Sequence, residues 1–186
     1  MEENSIIKIA VIGAESTGKT KLCEGLSNYF NTTFVPEYSR IFLKRKKISS
    51  LNQKDLIKIA KGQLNLEKKY LTKANNILFY DTTFITIKIW SQLEFGGVSD
   101  DLNNLNKNSF NDFYLITDNS VPWKKDNLRF NKFSRELILR MNMDEVILSK
   151  TPFELIKGID KKRLENAIKI IEKNFFKTIA TTPFSF

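Results

Sequence analysis

The stretch SIIKIAVIGAESTGKT, residues 5–20, contains the pattern that decides the fold. Residues 5–12 form an apolar run of strand length that is rich in isoleucine and valine, which is typical of a strand buried on both faces of a parallel sheet. Residues 13–20 match the phosphate-binding pattern G-x-x-x-x-G-K-[ST] at every fixed position. The sequence therefore predicts a strand, a phosphate-binding loop and a helix, in that order.

Each residue type in this loop has a physical reason. Glycines let the backbone bend so that successive N–H groups converge on phosphate oxygens, and the N-terminus of the following helix adds partial positive charge. We expect Lys19 to reach the β- and γ-phosphates of ATP and the Thr20 hydroxyl to bind Mg²⁺. The predicted ATP-binding residues run without a break along the loop and into the helix: Gly13, Ala14, Glu15, Ser16, Thr17, Gly18, Lys19, Thr20 and Lys21.

Strand-like and helix-like segments alternate along the rest of the chain. Further strands are predicted over 32–35, 76–81, 113–117 and 153–157. Helices are predicted over 18–30, 38–47, 52–74, 82–95, 131–150 and 160–176, with 100–111 as a loop holding at most one helical turn. This alternation indicates an α/β fold with a parallel sheet. We expect a single domain over residues 1–186, with a frayed tail from about residue 177.

Periodicity also assigns side chains to the interior of this fold. Four apolar residues of the helix over 131–150 are expected to face inward: Phe133, Leu137, Met141 and Leu148. Trp90 has helical spacing with its apolar neighbours and is expected in the core. Cys23 is expected to be a small buried residue.

Composition excludes several classes of protein. The 186 residues include no histidine and one cysteine, so a Ser-His-Asp triad, a Cys-His pair and a disulfide framework are impossible. Acid–base chemistry is left to carboxylates, lysine or tyrosine. No apolar run approaches the roughly 20 residues of a membrane span, and the acidic N-terminus does not lead into a signal peptide. We predict a cytoplasmic protein without a membrane partner.

The net charge of +9 first suggests an anionic partner such as nucleic acid. However, 24 of the 30 basic residues are lysines, and lysine, asparagine, isoleucine and phenylalanine are abundant together. All of these have A/T-rich codons, so nucleotide bias explains most of the charge. We expect no nucleic-acid partner, and the arginines are the more informative basic residues.

The residues around the later strands favour a kinase over other users of nucleoside triphosphates. The Asn-Lys-x-Asp element that usually accompanies guanine specificity is missing from residues 106–109 and 131–134, where Asn-Lys does occur. Asp81 is followed by Thr82 rather than by the glutamate that polarises water in mechanical ATPases. A substrate hydroxyl is therefore the expected acceptor.

A kinase needs a carboxylate beside the acceptor hydroxyl, and Glu37 and Asp81 follow or end predicted strands. The carboxyl ends of strands are where open α/β sheets bind their ligands. One of the two is expected to be the base or to bind the hydroxyl, and the other to hold Mg²⁺ together with Thr20. The alternative for each is a structural role at the start of a helix.

Three arginines and one tryptophan complete the predicted site. Arg129 and Arg135 flank the loop after the fourth strand, where a lid arginine would stabilise charge on the transferring phosphoryl group. Arg40 is expected to point toward the same pocket. Trp123 either stacks on an aromatic substrate ring or is a hydrophobic plug that holds its loop.

Four segments resemble one known family in the same order along the chain: 13–20 (GAESTGKT), 36–40 (PEYSR), 80–86 (YDTTFIT) and 121–129 (VPWKKDNLR). They resemble the ribosylnicotinamide kinase domain of the bacterial NadR family, from about residue 6 to residue 175. The resemblance implies phosphorylation of the 5′-hydroxyl of nicotinamide riboside by ATP, for NAD synthesis. It also implies a P-loop nucleoside-kinase fold, a parallel five-stranded sheet with helices on both faces. Residues matching the family's substrate site are Glu37, Tyr38, Arg40, Asp81 and Trp123.

The chain departs from the family pattern in three respects. It begins about six residues before the first strand, so we expect neither the DNA-binding module nor the adenylyltransferase domain. Thr83 and Ser120 stand where the family often has acids. Both positions touch the expected nucleoside site, so two alternatives stay open: a kinase for another nucleoside or small hydroxyl substrate, and a regulatory P-loop protein that binds ATP without catalysis.

Overall fold

A computed structural model of the chain describes residues 5–106, 109–123 and 135–176. Its five strands pair in parallel in one sheet of order β2-β3-β1-β4-β5. The strands are β1 (Ile7–Gly13), β2 (Thr33–Val35), β3 (Ile77–Asp81), β4 (Phe113–Thr117) and β5 (Phe153–Ile156). The predicted parallel α/β sheet is confirmed.

Helices follow the strands in sequence within the described residues. They are α1 (Lys19–Tyr29), α2 (Tyr38–Leu43), α3 (Gln53–Leu71), α4 (Phe84–Phe95), α5 (Asp100–Asn106), α6 (Arg135–Ser149) and α7 (Asp160–Phe175). The helix predicted over 38–47 is shorter than expected, and a 3₁₀ turn at Ile48–Ser50 separates it from α3. Asn52 caps α3 in a capping box with Asp55.

Alternate residues of the strands face opposite helix layers, as a two-sided buried sheet requires. Ile9 and Val11 of β1 face the layer that contains Leu22 and Leu26 of α1 and Ile171 of α7. Ala10 and Ile12 face the other layer, where residues of α3, α4 and α6 pack. Cys23 is fully buried in the first layer, as predicted, and burial raises the pKa of its thiol.

Two predictions about helices are wrong. Residues 100–106 form a helix rather than a loop. Asp100 and Asp101 lie in its first turn, where their negative charge interacts favourably with the helix dipole. In α6, Leu137 and Leu148 are 51% and 74% exposed. The buried residues of α6 are Arg135, Asn142 and Val146, at helical spacing. The prediction chose the most apolar positions, whereas the inner face of α6 carries polar side chains.

Other predictions about this part of the chain have different outcomes. Met141 packs against the core, as expected. Phe133 and the frayed tail from residue 177 lie outside the described residues. Of the helices in the described ranges, none has the length and apolarity needed to cross a lipid bilayer.

Candidate active site

The phosphate-binding loop connects β1 to α1 and touches β4 closely. Gly13 has φ +136°, and a Cβ there would lie 2.4 Å from Thr117 Oγ1 and 2.7 Å from the Thr117 carbonyl oxygen. Only glycine allows this approach without displacing the β4 backbone. Ser16 also takes a positive φ, 59°. The shape of the loop therefore depends on the glycine at position 13 and on the close approach of β4.

Side chains of the loop bond to the loop itself. The Thr17 hydroxyl lies 2.9 Å from the Ala14 carbonyl oxygen and 2.7 Å from Thr117 Oγ1. Lys19 Nζ donates to the carbonyl oxygens of Gly13 and Ala14 at 3.1 and 2.8 Å. Burial lowers the pKa of Lys19, and nearby carboxylates, Glu37 first, partly oppose that shift. The ammonium group thus lies against its own loop, at the wall of the cavity described below.

Thr20 and Asp81 meet at the start of α1. The Thr20 hydroxyl donates to Asp81 Oδ2 at 2.6 Å, while Asp81 Oδ1 has no hydrogen-bond partner among the described residues. Asp81 is 1% exposed, and burial raises its pKa. A hydroxyl and a carboxylate are hard oxygen donors of the kind that Mg²⁺ takes beside phosphate oxygens. The residues present therefore fit a magnesium site completed by a nucleotide.

No group of three or more carboxylate or cysteine side chains that could hold a metal ion is found in the described part of the chain. A site made by Thr20 and Asp81 alone would leave most coordination positions to phosphate and water, as is usual for Mg²⁺. Asp81 is not the helix cap that the alternative interpretation proposed, because Thr83 occupies the N-cap position of α4.

Glu37 stands at the N-cap position of α2, without a side-chain capping bond. Its carboxylate accepts hydrogen bonds from Ser39 Oγ at 2.5 Å and from Arg40 Nε at 3.0 Å. Gln63 of α3 brackets this turn, accepting from the Tyr38 N–H at 2.8 Å and donating to the Pro36 carbonyl at 3.2 Å. The Glu37 backbone is therefore fixed from α3.

A cavity of about 230 Å³ brings these groups together at the carboxyl edge of the sheet. Its walls include every predicted ATP-binding residue except Ala14, together with Glu37, Arg40 and Asp81. Parallel strands place β1, β2 and β3 with their carboxyl ends at one edge, which explains the convergence.

A narrower cavity opens beside the first, between α3 and α4. Glu37, Ser39, Thr82, Thr86 and Trp90 line both cavities. Leu56, Ile59 and Ile87 supply apolar walls to the narrower one. Trp90 is half-buried and packs against a core cluster of α3 and α4, as expected, and it also lines both cavities.

Unsatisfied hydroxyl groups mark the narrower cavity. Thr82, Thr83 and Thr86 line it, and their hydroxyl oxygens are buried without a hydrogen-bond partner among the described residues. A buried polar group without a partner costs about 1–3 kcal/mol. These hydroxyls are therefore available to a water molecule or to a ligand that enters the cavity.

A larger and more open cavity of about 730 Å³ lies on the other side of the phosphate-binding loop. It is bounded by Gly18 and Lys21, by Pro122 after β4, and by Asp160 and Arg163 at the start of α7. The exposed Lys21 ammonium pairs with Asp160 at 2.6 Å across this cavity.

Other predicted residues lie away from the 230 Å³ cavity. The Tyr38 ring packs against Gly62. Arg135, 9% exposed, donates from Nη2 to the Val121 carbonyl at 2.9 Å. Trp123 is half-buried, and its indole N–H has no partner among the described residues. Arg129 lies outside the described residues.

Sequence reasoning missed several residues of this site, among them Ser39, Thr82, Gln63, Thr86, Trp90 as a cavity residue, and Arg163. Arg163 carried a usable signal, because arginines are scarce in this lysine-rich chain. The positions of Gln63, Thr86 and Trp90 gave no such signal, because spacing along a helix does not show whether a face lines a cavity.

Comparison with known proteins identifies the family to which the chain belongs. The chain matches AAA_28, described as an AAA domain, over residues 8–152. It belongs to this family. It is 32% identical over 125 residues to the trifunctional NAD biosynthesis/regulator protein NadR of Escherichia coli (strain K12), an alignment that covers 65% of this chain and 30% of that protein. The resemblance to NadR predicted from the sequence is confirmed, and the chain spans about 30% of that relative's length.

Solved structures give the same result for the fold. A NadR protein in complex with NR has a TM-score of 0.78 at 20% identity, covering 97% of this chain and 54% of the other. A NadR protein with NAD and AMP-PNP has a TM-score of 0.73 at 20% identity, covering 90% and 49%. A deoxyadenosine kinase from M. mycoides has a TM-score of 0.62 at 14% identity, covering 90% and 100%. The fold is that of the P-loop nucleoside kinases.

Proposed function

We propose that this protein is an ATP-dependent kinase that phosphorylates the 5′-hydroxyl of a nucleoside, with nicotinamide riboside as the first candidate. The observation that carries the proposal is the convergence of Lys19, Glu37 and Asp81 on one cavity beside the phosphate-binding loop. A loop of this kind alone accounts for triphosphate binding, whereas a carboxylate facing a second, partly apolar cavity provides for an acceptor hydroxyl. The likeness to NadR proteins solved with NR and with AMP-PNP supports this choice.

The triphosphate would lie against the loop N–H groups and the N-terminus of α1. Lys19 would exchange its carbonyl partners, Gly13 and Ala14, for phosphate oxygens, because a hydrogen bond between two charged groups is stronger. Thr20 and Asp81 would hold Mg²⁺, which neutralises charge on the β- and γ-phosphates when bound. The 730 Å³ cavity beside Gly18 would take the nucleoside part of ATP.

We assign the base to Glu37, because it lines both the phosphate cavity and the narrower cavity, whereas Asp81 lines the phosphate cavity and pairs with Thr20. The acceptor oxygen attacks the γ-phosphorus while Glu37 takes the hydroxyl proton. The bond between the γ-phosphorus and the bridging oxygen breaks, and ADP leaves. Arg40, bonded to Glu37, would offset charge on the transferring group.

The nucleoside would lie at the mouth of the narrower cavity, which at about 20 Å³ has room for little more than one water molecule and would have to widen to admit the base. A flat ring packs well on the Trp90 side chain and on the apolar walls formed by Leu56 and Ile59. The unpartnered hydroxyls of Thr82, Thr83 and Thr86 would bond to the polar edge of the base or to ribose hydroxyls. The pocket thus combines apolar contact with a few placed polar groups, as small-molecule sites do.

A nucleoside panel tests the proposal. The protein would be incubated with ATP, Mg²⁺ and one of nicotinamide riboside, adenosine, deoxyadenosine, cytidine or thymidine, while ADP release is followed and the product mass is measured. We expect ADP and the 5′-monophosphate to form together with at least one nucleoside, nicotinamide riboside being the best.

The 5′-deoxy analogue of the best nucleoside is the matched control, because it fills the pocket but lacks the acceptor oxygen. It should inhibit competitively and give no ADP above the basal rate. If no nucleoside raises ADP release above that rate, the kinase assignment is wrong and a regulatory ATP-binding role takes its place.

A further inference from the structure

Arg163, near the start of α7, reaches across to the phosphate-binding loop. Its Nη1 donates to the Thr17 carbonyl oxygen, although the two residues are 146 positions apart in the chain. The side chain is 4% exposed, so water competes little for this bond. A buried charge reaching a loop carbonyl is costly unless it is well paired. The Nη2 arm of the guanidinium is paired as well, whereas Nε has no hydrogen-bond partner among the described residues.

The second arm of the guanidinium is fixed by the segment after β4. Arg163 Nη2 pairs with Asp118 Oδ1, and the same oxygen accepts from Ser120 Oγ at 2.5 Å. Arg135 braces this segment from α6 through the Val121 carbonyl, at 2.9 Å. The guanidinium therefore joins the loop to a segment that is itself held in place.

The Thr17 carbonyl matters because of the peptide that contains it. A trans peptide is planar, so the Thr17 C=O and the Gly18 N–H point in opposite directions. The carbonyl points to Arg163, and the Gly18 N–H is consequently turned away from α7. Gly18 lines the 230 Å³ cavity in which the triphosphate is proposed to lie. Fixing the Thr17 carbonyl therefore also fixes the direction of the Gly18 N–H.

The Thr17 side chain fixes the same residue from the opposite side, through Ala14 and Thr117. Without Arg163, the carbonyl would lose its partner and the peptide could rotate, because Gly18 at φ +81° is a residue with wide backbone freedom. Arginine suits this position since it offers two separate donors, one for the carbonyl and one for Asp118.

We propose that Arg163 is a positioning residue for the triphosphate, which keeps the Gly18 N–H directed at a phosphate by anchoring the Thr17 carbonyl. The inference rests on the proposed function only in that the loop binds ATP. It adds a residue from the far end of the chain to the phosphate site and predicts that polyphosphate affinity depends on it.

Direct binding measurements test this without any acceptor. Calorimetry would give the Kd of Mg-ATP for the unaltered protein, for Arg163→Met and for Arg163→Lys. We expect Kd to rise about tenfold to a hundredfold in Arg163→Met, with a smaller rise in Arg163→Lys, which keeps the charge but has one donor group. Lys169→Met, which removes an exposed charge from the same helix, should leave Kd unchanged.

Arg163 also borders the 730 Å³ cavity, so a direct contact with the base of ATP must be distinguished. Inorganic tripolyphosphate, measured by displacement of a fluorescent ATP analogue, serves this purpose. A parallel loss of tripolyphosphate affinity supports positioning of the loop. A loss confined to ATP overturns the proposal, since it would mark a contact with the nucleoside.

Folding is checked by thermal denaturation, and Asp118→Asn supplies a second variant should Arg163→Met fail to fold. Asp118→Asn keeps Arg163 but weakens its anchor, and we expect a rise in the Kd of ATP of about threefold to tenfold. Unchanged ATP affinity in a folded Arg163→Met protein, or in Asp118→Asn if Arg163→Met does not fold, overturns the inference. Absence of nucleoside turnover with reduced ATP affinity would instead refute the kinase and leave the role of Arg163 standing.

Discussion

The two halves of the active-site cleft differ in how their polar groups are satisfied. On the phosphate side, Thr17 and Lys19 already bond to carbonyl and hydroxyl oxygens of the loop and of β4. On the acceptor side, the buried hydroxyls of Thr82, Thr83 and Thr86 have no partner among the described residues. Among the described residues, the phosphate side leaves Asp81 Oδ1 without a partner, whereas the acceptor side leaves all three threonine hydroxyls without one.

This difference indicates where each half derives its selectivity. A loop that is fixed by its own bonds presents the same N–H groups to any polyphosphate. A pocket with unsatisfied hydroxyls favours the ligand that pairs them, because a ligand lacking the matching groups leaves them buried and unpaired. If the proposed function holds, substrate identity would be determined mainly on the acceptor side, between α3 and α4.

The largest expected effect comes from the phosphate side. Lys19→Met removes the ammonium group that would contact the transferring phosphates, and we expect turnover to fall by a factor of about 10³ or more. The measurement is ADP release with saturating nucleoside, beside Lys69→Met, which removes an exposed charge from α3. Turnover in Lys19→Met within tenfold of the unaltered protein would contradict the assigned role.

The next effect separates the two carboxylates, which lie at the boundary between the halves. Glu37→Gln should lower kcat by about 10²–10⁴ with the Kd of ATP unchanged, because the proton acceptor is lost while the loop remains. Asp81→Asn should instead raise the Mg²⁺ concentration needed for half-maximal activity, since a neutral amide binds the cation more weakly.

Steady-state kinetics at varied Mg²⁺, together with ATP calorimetry, check both variants. The reverse pattern, a Mg²⁺ effect in Glu37→Gln and a pure kcat effect in Asp81→Asn, would exchange the two roles. A normal kcat in both variants would exclude carboxylate base catalysis from this site.

The smallest effect belongs to the acceptor side and has an unusual sign. Thr86→Val replaces an unpartnered buried hydroxyl with a methyl group, so the melting temperature should stay equal or rise. The KM of the nucleoside should increase about twofold to tenfold, with the KM of ATP unchanged.

Thr32→Val is the matched control for this change, because Thr32 Oγ1 donates to the Ile77 carbonyl at 2.6 Å, away from the cleft. It should lower the melting temperature and leave both KM values unchanged. A drop in stability in Thr86→Val without a change in nucleoside KM would mean that its hydroxyl has a structural role.

The sequence predicted the parts of the protein that depend on local pattern. The β1 run and the loop motif together located the phosphate site. The sequence also predicted that Glu37 and Asp81 lie close together, because parallel strands align their carboxyl ends. The NadR resemblance added an expected substrate site but supplied no side-chain contact.

What escaped prediction depends on long-range packing. Arg163 meets Thr17 only after α7 has packed beside α1, and no local pattern encodes that contact. The inner face of α6 was misjudged because it carries Arg135 and Asn142 where apolar residues were expected. Trp90 packs against the core as predicted, but its place in the cavity wall was missed because helical spacing cannot distinguish a core wall from a cavity wall.

The close approach of Gly13 to Thr117 has a consequence for transplanting the loop. A peptide of residues 5–30 would contain the complete motif but neither the β4 hydroxyl that holds Thr17 nor the α7 guanidinium that holds its carbonyl. Such a fragment is expected to bind polyphosphate poorly. A graft into another scaffold needs a neighbouring strand that presents a threonine within hydrogen-bond reach, so the portable unit is two adjacent parallel strands and not the motif alone.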